Sequence, residues 1–354
     1  MQQELSVVGI DIAKRVFHLV GMDERGTIIL RKRLARGEVL SFMANLPPVT
    51  VGMEACGGAH EWARQLRNQG HDVKLMAPQY VKPYVKTNKN DMRDAEAIAE
   101  AVTRPSMRFV PIKTVEQQDV QALHRVRERL MGARTGLINE MRGLLAEYGI
   151  VLPKGAEAFR KAVVGKLESE QDKLTSLSQE MFHRLFEELV KVEAEVAYYD
   201  EKLLSLATTH PDCQRLLTIP GIGPITATAL IAAVGEVSVF KNGRHFSAWL
   251  GLVPKQHSTG GQTRLLGISK RGDSYLRKLL IHGARSTLRW ARLKTDGRSQ
   301  WMRGLLERRD WNRAAVAVAN KNARIVWALL SRGGVYSESA GSSSERCHQG
   351  VRLG

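Results

Sequence analysis

Four acidic residues in the first hundred could together perform metal-assisted chemistry. Asp11 and Glu54 each end an apolar, strand-like run. Asp91 and Asp94 lie three residues apart on a predicted helix. A carboxylate at the end of a buried strand is costly unless a cation lies beside it, and carboxylate oxygens are ligands that Mg²⁺ (or Mn²⁺) prefers. The pattern therefore predicts a divalent-metal centre of the kind that assists phosphoryl transfer.

The charge of the chain points to a polyanionic partner. The 354 residues contain 53 lysines and arginines against 36 aspartates and glutamates, which gives a net charge of +17. Nucleic acid is the commonest partner of such a chain, although a merely soluble basic protein would have the same composition. The three cysteines lack paired zinc-ligand spacing and favour a reducing cytoplasm over a disulfide framework. No apolar run reaches the ~18 residues of a membrane span, and the N-terminus lacks a signal-peptide pattern.

The first third of the sequence predicts an α/β domain, which we assign to residues 1–112. The expected strands are 5–10, 15–22, 27–32, 49–54 and 71–76. The expected helices are 40–46, a stretch that follows Gly58 and ends at Arg67, and 91–102. Three consecutive strands followed by helix, strand, helix and strand is the order of an RNase H-like sheet.

These elements would place the acidic residues around one point. The two strand-end carboxylates lie on neighbouring strands in such a sheet, and the two helical carboxylates share a helix face directed at the same place. The candidate catalytic residues and metal ligands are therefore Asp11, Glu54, Asp91 and Asp94. Two cations beside the helical pair, Lys89 and Arg93, could offset charge or contact phosphate. Taken singly, each acid could instead cap a turn or reflect the usual charge bias at a helix start.

The middle of the chain predicts a central antiparallel coiled-coil linker, assigned to residues 113–208. Leucines recur every seven residues at positions 123, 130, 137 and 144, and a second stripe from Leu185 to Leu203 has 4-3 spacing. A turn region around Pro153–Gly155 interrupts the pattern. A heptad stripe indicates packing within the chain or with another copy, and does not indicate chemistry.

Residues 209–335 predict a mainly helical C-terminal domain with two features that suit nucleic acid. Before the alanine-rich helix 225–234, the segment Ile219–Gly223 has the form of a helix-hairpin-helix. Gly221 and Gly223 would allow tight turns, and the following helix N-terminus could receive a phosphate. A plain helix–turn–helix corner would show the same residues. The remaining tail, 336–354, is rich in serine and glycine and is predicted to be disordered.

The second feature is a glycine-rich, basic loop over residues 255–273. Ser258 precedes two glycines and could act as a nucleophile toward a phosphodiester, with arginines stabilising the developing charge. His257 could assist as a base or contact phosphate. The expected nucleic-acid contacts in and beside this loop are Lys255, His257, Arg264, Lys270 and Arg271. Without these neighbours, Ser-Thr-Gly-Gly would be read as an ordinary turn.

Together, these motifs resemble the DEDD transposases of the insertion-sequence family numbered one-ten. The resemblance rests on the Gly-Ile-Asp-Ile-Ala-Lys segment at residues 9–14, the strand ending at Glu54, and Asn-Asp-Met-Arg-Asp-Ala at 90–95. It extends through Ile-Pro-Gly-Ile-Gly at 219–223, the Ser258 loop and Gly-Ile-Ser-Lys-Arg-Gly-Asp at 267–273, and covers about residues 5–330. The chain looks closest to the eleven-eleven subgroup, and pilin-gene inverting recombinases are similar.

The resemblance implies an N-terminal RuvC-like domain, a coiled-coil linker and a C-terminal transposase domain. The family's four DEDD carboxylates match the four acids named above. Its catalytic serine, thought to form a covalent link to DNA, falls on Ser258 when counted back from Ser269. Counted forward from Gly251 it falls on Thr259, and we select Ser258 because that assignment keeps the residue type.

The resemblance also implies partners. A bridge (seeker) RNA from the element would pair with target and donor DNA, so the protein would read nucleic-acid shape and backbone. Homo-oligomers from dimers to tetramers would build active sites with carboxylates and serine from different subunits. The expected location is the bacterial cytoplasm, in association with the nucleoid.

Three other functions remain compatible with the residues alone. A RuvC-like junction endonuclease would use the same carboxylates to activate water. A non-catalytic nucleic-acid-binding protein would need only the basic surface and the helix-hairpin-helix. An actin-like ATPase would need a second phosphate loop, and the sequence has no convincing one.

Overall fold

The computed structural model describes residues 4–85 and 90–337 and divides the chain into two compact units. The first unit is Met1–Val115 and the second is Glu116–Gly354. The helical segment expected as a separate linker therefore lies in the same unit as the C-terminal helices. Lys89 and most of the predicted disordered tail lie outside the described residues.

The first unit is built on a six-stranded mixed sheet. Its strands are β1 (Val7–Asp11), β2 (Val16–Met22), β3 (Ile28–Ala35), β4 (Thr50–Glu54), β5 (Asp72–Met76) and β6 (Phe109–Val110), in the order β3-β2-β1-β4-β5-β6. The first three strands pair antiparallel, and β4 runs parallel to both β1 and β5. The five strands predicted from the sequence are confirmed, and the short β6 is additional.

Helices cover both faces of this sheet. They are α1 (Val39–Ala44), α2 (Ala59–Asn68), α3 (Pro78–Val81) and α4 (Asp91–Val102). Alternate residues of β1 face opposite sides, so Val8 and Ile10 pack in the core that holds α1 and α2. Val7 packs in the other core, with the alanines of α4. Asp11, which ends β1, therefore points to the α4 side of the sheet.

The second unit begins with a long helical hairpin. Its helices are α5 (Val115–Glu147), α6 (Ala156–Ser169) and α7 (Ser176–Thr209). Arg127 bonds Asp200, and Arg134 bonds Glu193 at 2.9 Å. The two arginines lie seven residues apart on α5, and their partners lie seven residues apart on α7 in the reverse order. The two helices are therefore antiparallel, as expected.

Two details of the hairpin differ from the sequence-based expectation. The region predicted as an interrupted turn contains α6, which packs through Phe159 and Val163. In the first heptad stripe, Leu130 and Leu137 are buried but Leu144 is exposed, and Leu145 takes the buried position. The antiparallel contact continues past that point, since the Tyr148 and Phe182 rings lie 5.9 Å apart, and Phe159 and Val163 of α6 join Leu145 in the same core cluster.

The C-terminal part of the second unit is helical with one β-hairpin. Its elements are α8 (Pro211–Leu217), α9 (Pro224–Val234), α10 (Gly243–Trp249), β7 (Pro254–Thr259), β8 (Gln262–Ile268), α11 (Ser274–Trp290), α12 (Gly297–Arg308) and α13 (Trp311–Arg332). Buried alanines and valines of α13 lie in the largest core cluster. The segment predicted as a basic loop is thus a pair of strands. Among the described residues, no helix is long and apolar enough to cross a membrane.

A buried histidine joins the helical hairpin to this C-terminal part. His124 of α5 lies 3.1 Å from Thr228 Oγ1 through Nε2 and 3.0 Å from Tyr275 Oη through Nδ1. The Thr228 hydroxyl donates to the Pro224 carbonyl, so Nε2 carries the proton and the Tyr275 hydroxyl donates to Nδ1. Burial, and then the charge of Arg127, lower the pKa of His124 to about 4. The imidazole is therefore a neutral structural link between α5, α9 and α11.

Candidate metal centre and serine hairpin

Three of the four predicted carboxylates converge at one end of the sheet. One oxygen from each of Asp11, Asp91 and Asp94 lies within 4.8 Å of the others. Glu54 ends β4, and the pairing of Ile10 with Met53 places it beside Asp11 on the neighbouring strand. Asp91 is exposed and the other three are half-buried, so the cluster opens to solvent on one side.

Helix α4 reaches this position because two strands carry glycine at the same level. Gly9 and Gly52 are paired across β1 and β4, each two residues before a carboxylate. A Cβ at Gly9 would lie 2.3 Å from the Ala95 carbonyl oxygen, and one at Gly52 would lie 2.9 Å from Val102 Cβ. Only glycine permits this approach, which carries the first turn of α4 over the strand ends.

The cluster has an excess of negative charge. Burial, and then the charges of Asp11 and Asp94, raise the pKa of Glu54. Partial desolvation and the charges of Glu54 and Asp11 also raise the pKa of the Cys56 thiol, although this residue is at the surface. A bound divalent cation would offset this repulsion, and four carboxylates are hard oxygen donors that suit Mg²⁺ or Mn²⁺.

The start of α4 offers partial compensation. The Asn90 side chain accepts a hydrogen bond of 2.9 Å from Met92 N and caps the helix. Asp91 and Asp94 lie in the first turn, where the helix dipole favours negative charge. This effect is worth about 0.3–1 kcal/mol per charge and is too small to balance four converging carboxylates. Arg93 is exposed beside them.

The sequence analysis missed His18, which borders the cluster. His18 is the cross-strand partner of Asp11, and its Nδ1 lies 3.8 Å from Asp91 Oδ2. The signal was present in principle, because two antiparallel strands joined by a short turn place residue 18 opposite residue 11. Using it required the exact register, which strand prediction does not give.

Ser258 lies on a β-hairpin that projects from the helical domain. Thr259 pairs with Gln262, and the two glycines between them have φ of 57° and 79°, as in a type I′ turn. Every residue from Pro254 to Gly267 is exposed. The glycines therefore form the tip of the hairpin, and both faces of the strands are open to a partner.

The pleat of the hairpin separates residues that are adjacent in sequence. Ser258 pairs with Thr263, whereas His257 pairs with Arg264 on the opposite face. The Ser258 hydroxyl accepts a hydrogen bond of 2.8 Å from the Gln256 side chain on its own face. This geometry favours His257 as a phosphate contact, together with Arg264, rather than as a base for Ser258.

Close backbone contacts hold the base of the hairpin. A Cβ at Gly251 would lie 2.1 Å from the Arg271 carbonyl oxygen, and one at Gly272 would lie 2.0 Å from that of Trp249. Lys270 between them has φ of 54°, a left-handed conformation that is uncommon for a side chain of this size. Lys255, Lys270 and Arg271 are exposed around this base.

The predicted Gly221–Gly223 turn joins α8 to α9. Gly221 has φ of 89° and packs against α11, where a Cβ would lie 2.8 Å from the Gly283 carbonyl oxygen. The Pro220 carbonyl accepts hydrogen bonds from Arg298 and Asn322. Gly221 thus has a packing role, while Gly223 is exposed at the N-terminus of α9.

A cluster of carboxylates from two strand ends and a helix start, in a strongly basic chain, is typical of enzymes that act on nucleic-acid phosphodiesters. Comparison with known families gives the narrower class. Residues 8–150 match the model of the DEDD transposases, and residues 213–300 match that described as "Transposase IS116/IS110/IS902 family".

Individual relatives are similar over almost the whole chain. A probable family 20 transposase of Pseudomonas aeruginosa is 53% identical over 329 residues, which is 93% of this chain and 97% of the relative. The transposase for insertion sequence element IS1111A of Coxiella burnetii is 50% identical over 94% of this chain and 92% of its own. A pilin gene-inverting protein of Moraxella bovis is 32% identical, over 18% of this chain and 21% of its own. The chain belongs to the IS116/IS110/IS902 family of transposases and is an enzyme of DNA transposition.

Proposed function

We propose that the protein mobilises an insertion sequence by cutting and rejoining DNA, with a divalent metal at the carboxylates and Ser258 as nucleophile. The observation that supports this most strongly is the convergence of Asp11, Asp91 and Asp94, with Glu54 beside them. A bound Mg²⁺ or Mn²⁺ would stabilise charge on the phosphoryl oxygens. The protein's own contribution is to hold the four carboxylates in one place.

In the proposed reaction Ser258 exchanges one ester bond for another. The Ser258 Oγ–P bond forms as one P–O bond of the DNA strand breaks, and the serine proton ends on the released DNA hydroxyl. The exposed Ser258 side chain on a projecting hairpin is accessible to a DNA backbone. Asp11 and Ser258 belong to different units of the chain, and an oligomer in which subunits share sites is part of the proposal.

We further propose that an RNA encoded beside the gene selects the DNA sequence. The protein would then need contacts to backbone and shape only. Exposed cations at the serine hairpin and its base suit this role, as does the helix N-terminus at Gly223. The full set of proposed contacts is Lys89, Arg93, Gly221, Gly223, Lys255, His257, Arg264, Lys270 and Arg271.

One observation favours a second function, a RuvC-like junction endonuclease that uses metal-activated water. The hydrogen bond to Ser258 Oγ comes from Gln256, and the pleat directs His257 away from it. A serine without a nearby base is a weak nucleophile until another group activates it. The carboxylates alone would suffice for the endonuclease.

The test uses full-length protein, DNA bearing the element ends, RNA transcribed from the flanking non-coding DNA, and Mg²⁺. We expect a covalent protein–DNA adduct on denaturing gels for the wild type and for Thr259→Ala, and none for Ser258→Ala. Thr259→Ala is the matched control because it removes a hydroxyl one residue away on the opposite face.

The other outcomes separate the alternatives. Loss of the adduct in Thr259→Ala instead would move the nucleophile to Thr259. Strand cleavage by Ser258→Ala without an adduct would support the endonuclease. DNA binding without any cleavage by the wild type would leave a non-catalytic binding protein. Equal cleavage with and without the RNA would contradict guidance by RNA.

A further inference from the structure

The carboxylate cluster continues as a row of polar side chains toward the edge of the sheet. Asp11 is paired with His18 across β1 and β2, and His18 is paired with Arg33 across β2 and β3. Directly paired residues point to the same face, so all three lie on the side of the sheet that carries α4. With strands ~4.8 Å apart, the Arg33 backbone lies about 10 Å from that of Asp11.

Arg33 differs from its two neighbours on β3 in how its charge is used. Arg31, two residues along on the same face, bonds Glu96 of α4 at 3.1 Å. Lys32 points to the opposite face, because it pairs with Leu19 of the α1–α2 core. Arg33 is exposed, and within residues 4–85 and 90–337 no ion pair includes it.

His18, between Arg33 and Asp11, has an unsatisfied polar atom. Its side chain is 12% exposed, and Nδ1 is buried without a hydrogen-bond partner among the described residues. The 3.8 Å to Asp91 Oδ2 is too long for a hydrogen bond. Buried polar atoms usually have a partner, so this position of the row is one that the described residues leave unsatisfied.

We propose that Arg33 holds a phosphate of the DNA strand that is cut, close to the phosphate at the carboxylates. The cut DNA strand would then run from the metal centre across β2 and over the edge strand β3 of the sheet. A guanidinium presents paired N–H donors that match a phosphate. Among the described residues β3 pairs with β2 alone, so no described strand blocks its outer edge. This inference rests on the proposed function, because it takes the carboxylates as the place of cleavage.

The matched control is one residue away. Arg33→Ala and Lys32→Ala remove the same charge from adjacent exposed positions of β3 on opposite faces. The long-range electrostatic effect of the lost charge should therefore be nearly equal in the two variants. Only Arg33→Ala should also lose a phosphate contact. Arg33→Gln, which keeps most of the side chain, serves as a second variant, and melting temperatures establish that all three fold like the wild type.

The first measurement is the salt dependence of binding to a labelled 30-base-pair duplex DNA. The loss of one phosphate contact lowers the slope of log K against log salt concentration by about 0.9. We expect this decrease for Arg33→Ala and Arg33→Gln, relative to Lys32→Ala. Equal slopes for Arg33→Ala and Lys32→Ala would overturn the proposal, and this measurement needs no cleavage.

The second measurement locates the contact. Neutral methylphosphonates are introduced one at a time on either side of the scissile phosphate that the wild type cuts. We expect one position to lower cleavage about tenfold in the wild type and in Lys32→Ala, as for a lost charge-assisted hydrogen bond. In Arg33→Ala the same position should have no further effect, whereas a full tenfold effect there would overturn the proposal.

The two hypotheses fail in different ways. If Asp11→Asn cuts DNA as well as the wild type, the proposed metal centre fails. If the wild type cuts and Asp11→Asn does not, but Arg33→Ala matches Lys32→Ala in both measurements, only the strand path is wrong.

Discussion

Glu54 is half-buried on the strand beside Asp11, and its pKa responds to two of the other carboxylates. Its pKa is raised by burial and then by Asp11 and Asp94. A carboxyl whose folded-state pKa exceeds the unfolded value stabilises the fold while protonated. That contribution is present below the unfolded value of about 4.5 and is lost as the pH rises through the folded pKa. At neutral pH the metal-free cluster therefore costs stability.

We expect Glu54→Gln to melt at a higher temperature than the wild type at pH 7 in EDTA. The gap should close as the pH falls toward 4, because a protonated glutamate and a glutamine then differ little. Added Mg²⁺ should raise the melting temperature of the wild type more than that of Glu54→Gln, since a ligand that binds the folded state stabilises it. Glu24→Gln is the control, an exposed glutamate outside the cluster. Identical melting of Glu54→Gln and the wild type in EDTA would contradict the account.

The four carboxylates were predictable from the sequence because each has a local signature. Two follow apolar strands and two share a helical face three residues apart. His18 was not predictable in this way, since it depends on the register of β1 against β2. Lys89, predicted beside the cluster, lies outside the described residues, so its role stays a prediction.

Two strands and one helix position the carboxylates, and paired glycines make their approach possible. Val-Gly-Ile-Asp at 8–11 and Val-Gly-Met-Glu at 51–54 repeat one pattern on adjacent strands. The glycines form a shallow groove that receives Ala95, Ala99 and Val102 of α4. Each carboxylate then emerges two residues further on, beneath the first turn of the helix.

Gly9→Ala should move α4 away from β1 and separate Asp91 and Asp94 from Asp11. The added Cβ would meet backbone atoms of α4 at 2.3 and 2.4 Å, which cannot rotate aside. We expect a destabilisation of about 1–3 kcal/mol, as for other overpacked cores, together with a large loss of metal-dependent cleavage. Gly37→Ala is the control, because nothing lies within 4 Å of its Cβ position. Cleavage at the wild-type rate by a folded Gly9→Ala would show that this approach of α4 is not required.

The serine hairpin shows which elements sequence patterns do not predict. A strand is recognised by alternation of buried and exposed residues, but β7 and most of β8 are exposed on both faces. Their lysine, glutamine, serine and threonine residues therefore resemble a loop. Helix α6 was missed for a different reason, because the break at Pro153–Gly155 masked the helical pattern that follows it.

At the scale of the whole molecule, the proposed chemistry is divided between the two units. The first unit carries the four carboxylates, and the second carries Ser258 and most of the exposed cations proposed to contact nucleic acid. Within the second unit, the buried His124 network ties the helical hairpin to α9 and α11. The helical hairpin is thus anchored to the helices of the serine-bearing C-terminal part. A movement of the helical hairpin would therefore be coupled to a movement of that part.

The account depends most on the claim that the four carboxylates form one metal centre that serves DNA cleavage. The direct measurement is Mn²⁺ binding by calorimetry, paired with cleavage of element-end DNA, for the wild type and four single variants. These variants are Asp11→Asn, Glu54→Gln, Asp91→Asn and Asp94→Asn. We predict that each loses at least tenfold in Mn²⁺ affinity and cleaves poorly, since each removes one charged ligand. Wild-type Mn²⁺ affinity and cleavage in Asp11→Asn or Asp94→Asn would contradict the account.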